Sequence, residues 1–226
     1  MFCNLALICA IEIPPLVVAG PSGVGKGNLM LVTILAGKLS YFLFLVFAGT
    51  IIGKLMEKFP DKFGFSVSHT TREPREGEVN GVHYHFSTAE QVEIGIQRGE
   101  FVEHAKVHGF HYGTTFAAIN KVNLENKICI LDIDTQGVQK VKRSKLPCKF
   151  VFILPPSIEE LEKRLRDRGT EEEDKIVKRM ADAAGEIEFG KTEGNVDAVL
   201  TNEDVDKCTE ELVELLKTWY PKHEFQ

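Results

Sequence analysis

The chain has 226 residues, 43% of them hydrophobic and 27% charged, enough for one sizeable buried core. Asp and Glu outnumber Lys and Arg by 33 to 27, a formal net charge of −6, which argues against a general nucleic-acid binder. Five cysteines include no CxxC pair, and two lie in apolar runs; reduced, buried thiols in a cytoplasmic setting fit this better than a disulfide framework.

Met1 to Ile13 is apolar without a basic start or an obvious cleavage site, so it reads as a lead-in to the first strand rather than a signal peptide. Leu16 to Ala19 is a short buried strand. Gly20-Pro21-Ser22-Gly23-Val24-Gly25-Lys26-Gly27 follows at once. Its glycines let successive backbone N–H groups point inward around a phosphate chain, and Lys26 reaches the terminal phosphates as a point charge. This is a P-loop with one departure, Gly27 where Ser or Thr is usual. A strand just before it makes a merely glycine-rich loop a poor account.

A P-loop needs a helix immediately after it, because the helix's first amides help hold the phosphates. Here the loop runs instead into an apolar stretch whose only charge between Leu29 and Gly53 is Lys38. By length and apolarity this is a transmembrane candidate, yet a span starting there displaces the required helix. A third account resolves the conflict. Gly27-Asn28 can be encoded across a splice donor and Phe47-Ala48-Gly49 across an acceptor, with Tyr41 to Phe47 translating a pyrimidine-rich tract. Residues 28–49 are therefore read as a translated retained intron. Removing these 22 residues joins the loop to an amphipathic helix and sets Thr50 beside the lysine.

Beyond Pro60 the elements follow in order. Phe63 to Ser68 alternates as a strand, Thr70 to Asn80 is a charged loop, and Val82 to Phe86 is a second strand. Ser87-Thr-Ala-Glu90 is a capping box opening a short helix. Glu100 to Lys106 and Phe110 to Thr115 pair around a turn at Gly109. Lys127 to Asp132 and Lys149 to Leu154 are continuous apolar runs of parallel-strand type, with Asp197 to Thr201 a shorter one. Ser157 to Glu160 and Thr170 to Glu173 are capping boxes before charged helices, and a last helix spans about 204–218 with Trp219 as a packing anchor. Helices alternating with such strands predict an α/β doubly wound parallel sheet, with 64–115 as an inserted strand-rich lobe. His83-x-His85 and His108-x-x-His111 lack a third ligand cluster and are not read as a metal site.

One loop–strand unit, from Ser68 to Tyr84, gathers Arg72, Arg75, Glu78, hydroxyls and a tyrosine. Guanidinium forks take phosphate oxygens bidentately, and phenol hydroxyls add neutral donors. Together with GPSGVGKG, FGFSVSHTTREPREGEVNGVHYHF, FVEHAKVHGFHYGTT, ILDIDTQGVQ and RLRDRGTEEEDKIVKRM, this unit makes the chain resemble the guanylate kinase family over nearly all of 14–215 except 28–49.

The resemblance implies a P-loop nucleoside monophosphate kinase fold: a parallel core of 14–63, 116–156 and 184–220, a GMP-binding lobe at 64–115 and a lid at 157–183. It implies transfer of the γ-phosphate of ATP to GMP by a cytoplasmic monomer with Mg²⁺, and neither nucleic acid nor a membrane as partner, 28–49 being the one segment that could change the last. ATP falls to Gly20, Pro21, Ser22, Gly23, Val24, Gly25, Lys26, Gly27, Thr50 and Asn202. Guanine falls to Ser68 and Glu103; a carboxylate accepts from the adjacent N1–H and 2-amino donors. The GMP phosphate and its surroundings fall to Arg72, Arg75, Glu78, Tyr84, Tyr112 and Thr114. Asp132 and Asp134 flank the acceptor and Mg²⁺ side, with Mg²⁺ held through ATP phosphates and water rather than a protein cage. Arg164, Arg168 and Arg179 match lid arginines, catalytic together with Lys26 and Arg72.

Two other readings stay open on sequence. A non-catalytic guanylate-kinase-like protein-binding domain typically loses the lysine or the base-reading set, and both are present here. An inactive product of the 28–49 interruption keeps the family but not the chemistry. A P-loop kinase for another acceptor is disfavoured by Glu103.

Overall fold

The computed structural model describes residues 8, 10–26, 30–31, 45–46, 50–75, 78–107, 109–167 and 173–225. Most of 28–49, the Thr170 capping position, Gly27 and Arg168 therefore lie outside the described residues. The elements run β1 (Leu16–Ala19), β2 (Met30–Leu31), β3 (Leu45–Val46), α1 (Ile51–Lys58), β4 (Phe63–Phe65), β5 (His69–Thr70) and β6 (His85–Phe86). Then come α2 (Ala89–Gln97), β7 (Phe101–Val107), β8 (Phe110–Thr115), α3 (Phe116–Leu124), β9 (Ile128–Asp132) and α4 (Thr135–Ser144). The chain continues through β10 (Lys149–Leu154), α5 (Ile158–Asp167), α6 (Glu173–Lys191), β11 (Ala198–Thr201) and α7 (Val205–Trp219). It divides into two units, 1–17 with 61–150 and 18–60 with 151–226.

In the first unit the main-sheet strands lie in the order β10–β1–β9–β4, and β4 pairs with β9 in parallel, Phe63 opposite Ile128 and Phe65 opposite Ile130. A second sheet has the order β6–β5–β8–β7, with β7 and β8 antiparallel and a bulge between Phe101 and Glu103. Phe63, Phe116, Ile119, Ile128 and Ile130 are fully buried and form this unit's core. Each helix opens on a side-chain cap: Thr88 for α2, Thr115 for α3 and Asp134 for α4. Asn123 of α3 fastens the lead-in to β1, accepting from the Glu12 N–H at 3.0 Å and donating to the Ile13 carbonyl at 2.9 Å.

In the second unit the order is β11–β10–β1, with β10 and β11 parallel from Val151–Ala198 to Leu154–Thr201. Five of the six residues of β10 are buried, as a strand covered on both faces requires. Ile51, Ile52 and Leu55 of α1 and Leu212 and Leu216 of α7 are buried, and Lys54 pairs with Asp206 at 2.5 Å where these helices meet. Within the 28–49 stretch, Met30–Leu31 and Leu45–Val46 pair antiparallel.

Three expectations need correction. The strand expected over 63–68 stops at Phe65. That expected over 82–86 is reduced to His85–Phe86, because Val79 to Tyr84 forms a turn in which Gly81, at φ +76°, donates its N–H to Tyr84. The first capping box is Thr88 with Gln91, not Ser87 with Glu90; both pairs satisfy the same one-in-four pattern.

Candidate functional site

The phosphate loop belongs to the second unit, and main-chain carbonyls hold it. Lys26 Nζ donates to the Gly20 carbonyl at 2.6 Å, curling the side chain back over its own loop. Buried Asn202, just past β11, donates to the Val24 carbonyl at 2.7 Å. Arg164 NH1 in turn donates to the Asn202 carbonyl at 3.1 Å, while its Nε is held by Glu160 one helical turn earlier at 2.9 Å. Arg179 of α6 donates to the Ser22 hydroxyl. Two glycines are obligatory here. Gly23 and Gly25 have φ of +91° and +88°, and a Cβ on Gly25 would lie 2.6 Å from Asn202 Nδ2.

The helix that the apolar stretch was expected to displace is still joined to the loop. Ile51 N–H donates to the Gly25 carbonyl at 3.1 Å and Ile52 N–H to the Lys26 carbonyl at 3.0 Å. With 28–49 omitted, each pair would stand four residues apart, the spacing of α-helical bonds. The 22-residue stretch thus leaves the loop-to-helix register unbroken. It does change the helix start. Thr50 is extended, at φ −114° and ψ 157°, and its hydroxyl accepts from Gly53 N–H, so α1 is capped by its own side chain.

The first unit carries the arginines and the carboxylate. Arg72 is gripped bidentately by Glu78, with NH1–Oε2 and NH2–Oε1 both 2.9 Å, and NH1 also donates to the Glu73 carbonyl at 2.7 Å. Its guanidinium lies 5.5 Å from the Tyr84 ring centre and 5.9 Å from that of Phe86. The hydrogen bond with Glu78 raises the Arg72 pKa above its ordinary value, and the same bond holds the Glu78 carboxyl below the usual range. Arg75 is exposed and gives its backbone N–H to Glu78 at 2.7 Å. Tyr84 and Tyr112 meet edge to face at 6.1 Å, and burial pushes the Tyr84 phenol up.

On the same small sheet Ser68 Oγ and Thr114 Oγ1 lie 3.2 Å apart. Glu103, opposite Thr114 on β7, is pushed above the ordinary carboxylate range by burial, with the Thr114 hydroxyl pulling the other way. Asp132, at the end of β9, is exposed, and Asp134 caps α4 by accepting from Gly137 N–H at 2.7 Å. Cys129, whose thiol burial pushes up to about 12, is chemically quiet.

Two polar residues escaped the sequence reading. Glu160 fixes Arg164, a partnership visible as an i, i+4 pair. Lys140 of α4 donates to the His104 carbonyl next to Glu103, and a bond to main chain 36 residues away leaves no pattern in the sequence. No described helix is long and apolar enough to cross a membrane.

A guanylate kinase family model matches residues 12–219. The chain is 48% identical over 202 residues to guanylate kinase 1 of Oryza sativa, covering 89% of this chain and 47% of that protein. It is 43% identical over 205 residues to the guanylate kinase of Schizosaccharomyces pombe, covering 91% of each. The chain therefore spans about half the length of the rice relative and most of the yeast one. Among solved structures, that of guanylate kinase from Anaplasma phagocytophilum superposes with a TM-score of 0.58 at 26% identity, covering 91% of this chain and 85% of the other. By sequence and by fold, the chain belongs to the guanylate kinase family.

Proposed function

We propose that the chain transfers the γ-phosphate of ATP to GMP, giving ADP and GDP. The observation that carries this reading is in the strand-rich unit: an arginine fork braced by a carboxylate, Arg72 on Glu78 in the loop after β5, accompanies a half-buried carboxylate, Glu103 on β7. An anion grip beside a base-reading acceptor suits a nucleoside monophosphate better than a sugar or a peptide.

In this reading Ser68 and Glu103 contact guanine, and Arg72, Arg75, Tyr84, Tyr112 and Thr114 hold the GMP phosphate, with Glu78 orienting Arg72. Lys26, the loop amides from Gly20 to Gly27, Thr50 and Asn202 serve ATP. Arg164, Arg168 and Arg179 neutralise the phosphoryl group in flight. A GMP phosphate oxygen attacks the γ-phosphorus in line as the bond to the β,γ-bridging oxygen breaks, so catalysis is chiefly positioning and charge neutralisation. Residues 64–115 act as the acceptor lobe and 157–183 as the lid over the reacting groups.

Mg²⁺ fits the residues present in a limited way. Asp132 offers an exposed carboxylate that would face the ion, which would come bound to the ATP phosphates. Once bound it neutralises phosphate charge. The buried free thiols Cys129 and Cys208 suit a reducing, cytoplasmic setting.

The test is ATP consumption with GMP, AMP, CMP and UMP offered separately, with product identification. GMP-dependent formation of ADP and GDP is expected. Equal rates with AMP, or none with any acceptor, would overturn the assignment.

A further inference from the structure

Guanine offers two neighbouring donors, N1–H and the 2-amino group, and only an ionised carboxylate can accept both; a protonated Glu would set a donor against a donor. The surroundings of Glu103 work against that ionised form. Burial raises its pKa, and Asp134 at the cap of α4 adds to the rise. Three influences oppose it: the Thr114 hydroxyl from β8, the ammonium of Lys140 from α4 and the Thr114 backbone N–H.

The placement of Lys140 is specific. Helix α4 packs against β7, and the half-buried ammonium is tied to the backbone carbonyl of His104, the residue after Glu103. A lysine paired directly with the Glu103 carboxylate would occupy the oxygens that a base must reach. One anchored on the neighbouring carbonyl delivers its charge without filling them.

We propose that Lys140 is a positioning residue for guanine recognition: held on the His104 carbonyl, it supplies the positive field in which Glu103 meets the base as a carboxylate, without itself taking the carboxylate oxygens. This rests on Glu103 reading guanine. The other titratable groups nearby are His104 on β7, Tyr112 and His111 on β8, and His69 on β5, which stacks on His85 at 4.8 Å. His69 and His104 are themselves shifted down, chiefly by burial, so an acid limb has competing sources that the test must separate.

The experiment compares kcat/KM for GMP in the wild type, Lys140→Met, Lys140→Arg and Glu103→Gln between about pH 5.5 and 8.5. Removing Lys140's charge takes away a lowering influence, so the Glu103 pKa rises further and the acid limb moves to higher pH. Lys140→Met is expected to lose up to about tenfold on the acid limb and to approach wild type at the alkaline end, as about a tenfold change in the carboxyl's acid equilibrium requires. KM for ATP stays put, and Lys140→Arg restores the profile. In Glu103→Gln the limb contributed by Glu103 disappears, and what remains belongs to the histidines. ¹³C titration of the Glu103 carboxyl gives a readout independent of turnover, expected to move upward in Lys140→Met.

A loss in Lys140→Met of the same size at every pH, or an unmoved carboxyl titration, overturns the role of Lys140 while the Glu103→Gln defect keeps guanine reading intact. Unchanged kcat/KM in Glu103→Gln overturns both.

Discussion

The two units hold their polar groups in different ways. Around the phosphate loop three donors end on main chain, Lys26 on Gly20, Asn202 on Val24 and Arg164 on Asn202, with Arg179 on the Ser22 hydroxyl as the side-chain contact. In the strand-rich unit side chain meets side chain: Arg72 on Glu78, Ser68 by Thr114, Tyr84 against Tyr112. A phosphate chain is the same in every nucleoside triphosphate, and a backbone cradle recognises it with little sequence information. A base must be told from its rivals, and that takes side chains with defined donors and acceptors. On this contrast the loop-bearing unit should respond to changes in backbone and charge, and the strand-rich unit to single side-chain atoms.

The largest effect that would break the contrast is at Lys26. Lys26→Ala should cut kcat by about 10³-fold or more by removing the loop's point charge, with KM for GMP little changed. Single-turnover kinetics would show it, and a loss confined to KM for GMP would contradict the division. Arg72→Ala comes next, with kcat/KM for GMP falling by about 10²-fold and KM for ATP steady. Arg72→Lys should recover only part of this, because a point charge cannot reproduce the fork on Glu78.

Excising 28–49 should move activity upward. The bonds from Ile51 and Ile52 stay in register, and Thr50 can enter the helix instead of capping it, releasing its hydroxyl from the Gly53 N–H toward phosphate. A gain in ATP affinity of about tenfold is expected, of the size of one capping interaction. Calorimetry with a non-hydrolysable ATP analogue on both chains would decide, and equal affinity would mean the self-capped start costs nothing.

The smallest effect is at Glu78. Its carboxyl is depressed by Arg72, so the pair's contribution to stability is present above the ordinary carboxylate pKa and is lost as pH falls through the lowered folded value. Glu78→Gln should cost at most about 1 kcal/mol at neutral pH and nothing once acid has protonated the wild-type carboxyl. Thermal denaturation against pH should show the two curves converging on the acid side.

The sequence was most legible where a pattern has one physical cause. Lys149 to Leu154 matches β10 to the residue, because a continuous apolar run bounded by charge and proline has few other outcomes. Ser157 accepts from the Glu160 N–H at 3.1 Å, as its capping pattern requires. Legibility failed where local chemistry offered two equal solutions, as with Ser87 and Thr88, or where a turn at Gly81 outcompeted a short strand. In the site, the loop and its lysine follow from glycine spacing after a buried strand, but Glu103 and Thr114 were named only through family resemblance. The register of α1 on the loop carbonyls and the seat of Lys140 depend on contacts between distant residues that no local pattern encodes.

Asn123 has a mechanical consequence. Its carboxamide grips the backbone at both Glu12 and Ile13, just before β1 begins. A pull passed along the backbone at residues 12 and 13 is therefore shared with α3 through that side chain before it reaches the strand leading into the loop. Trimming by an exopeptidase should pause at the same place, and Asn123→Ala should abolish both the pause and the first rupture peak in a force trace.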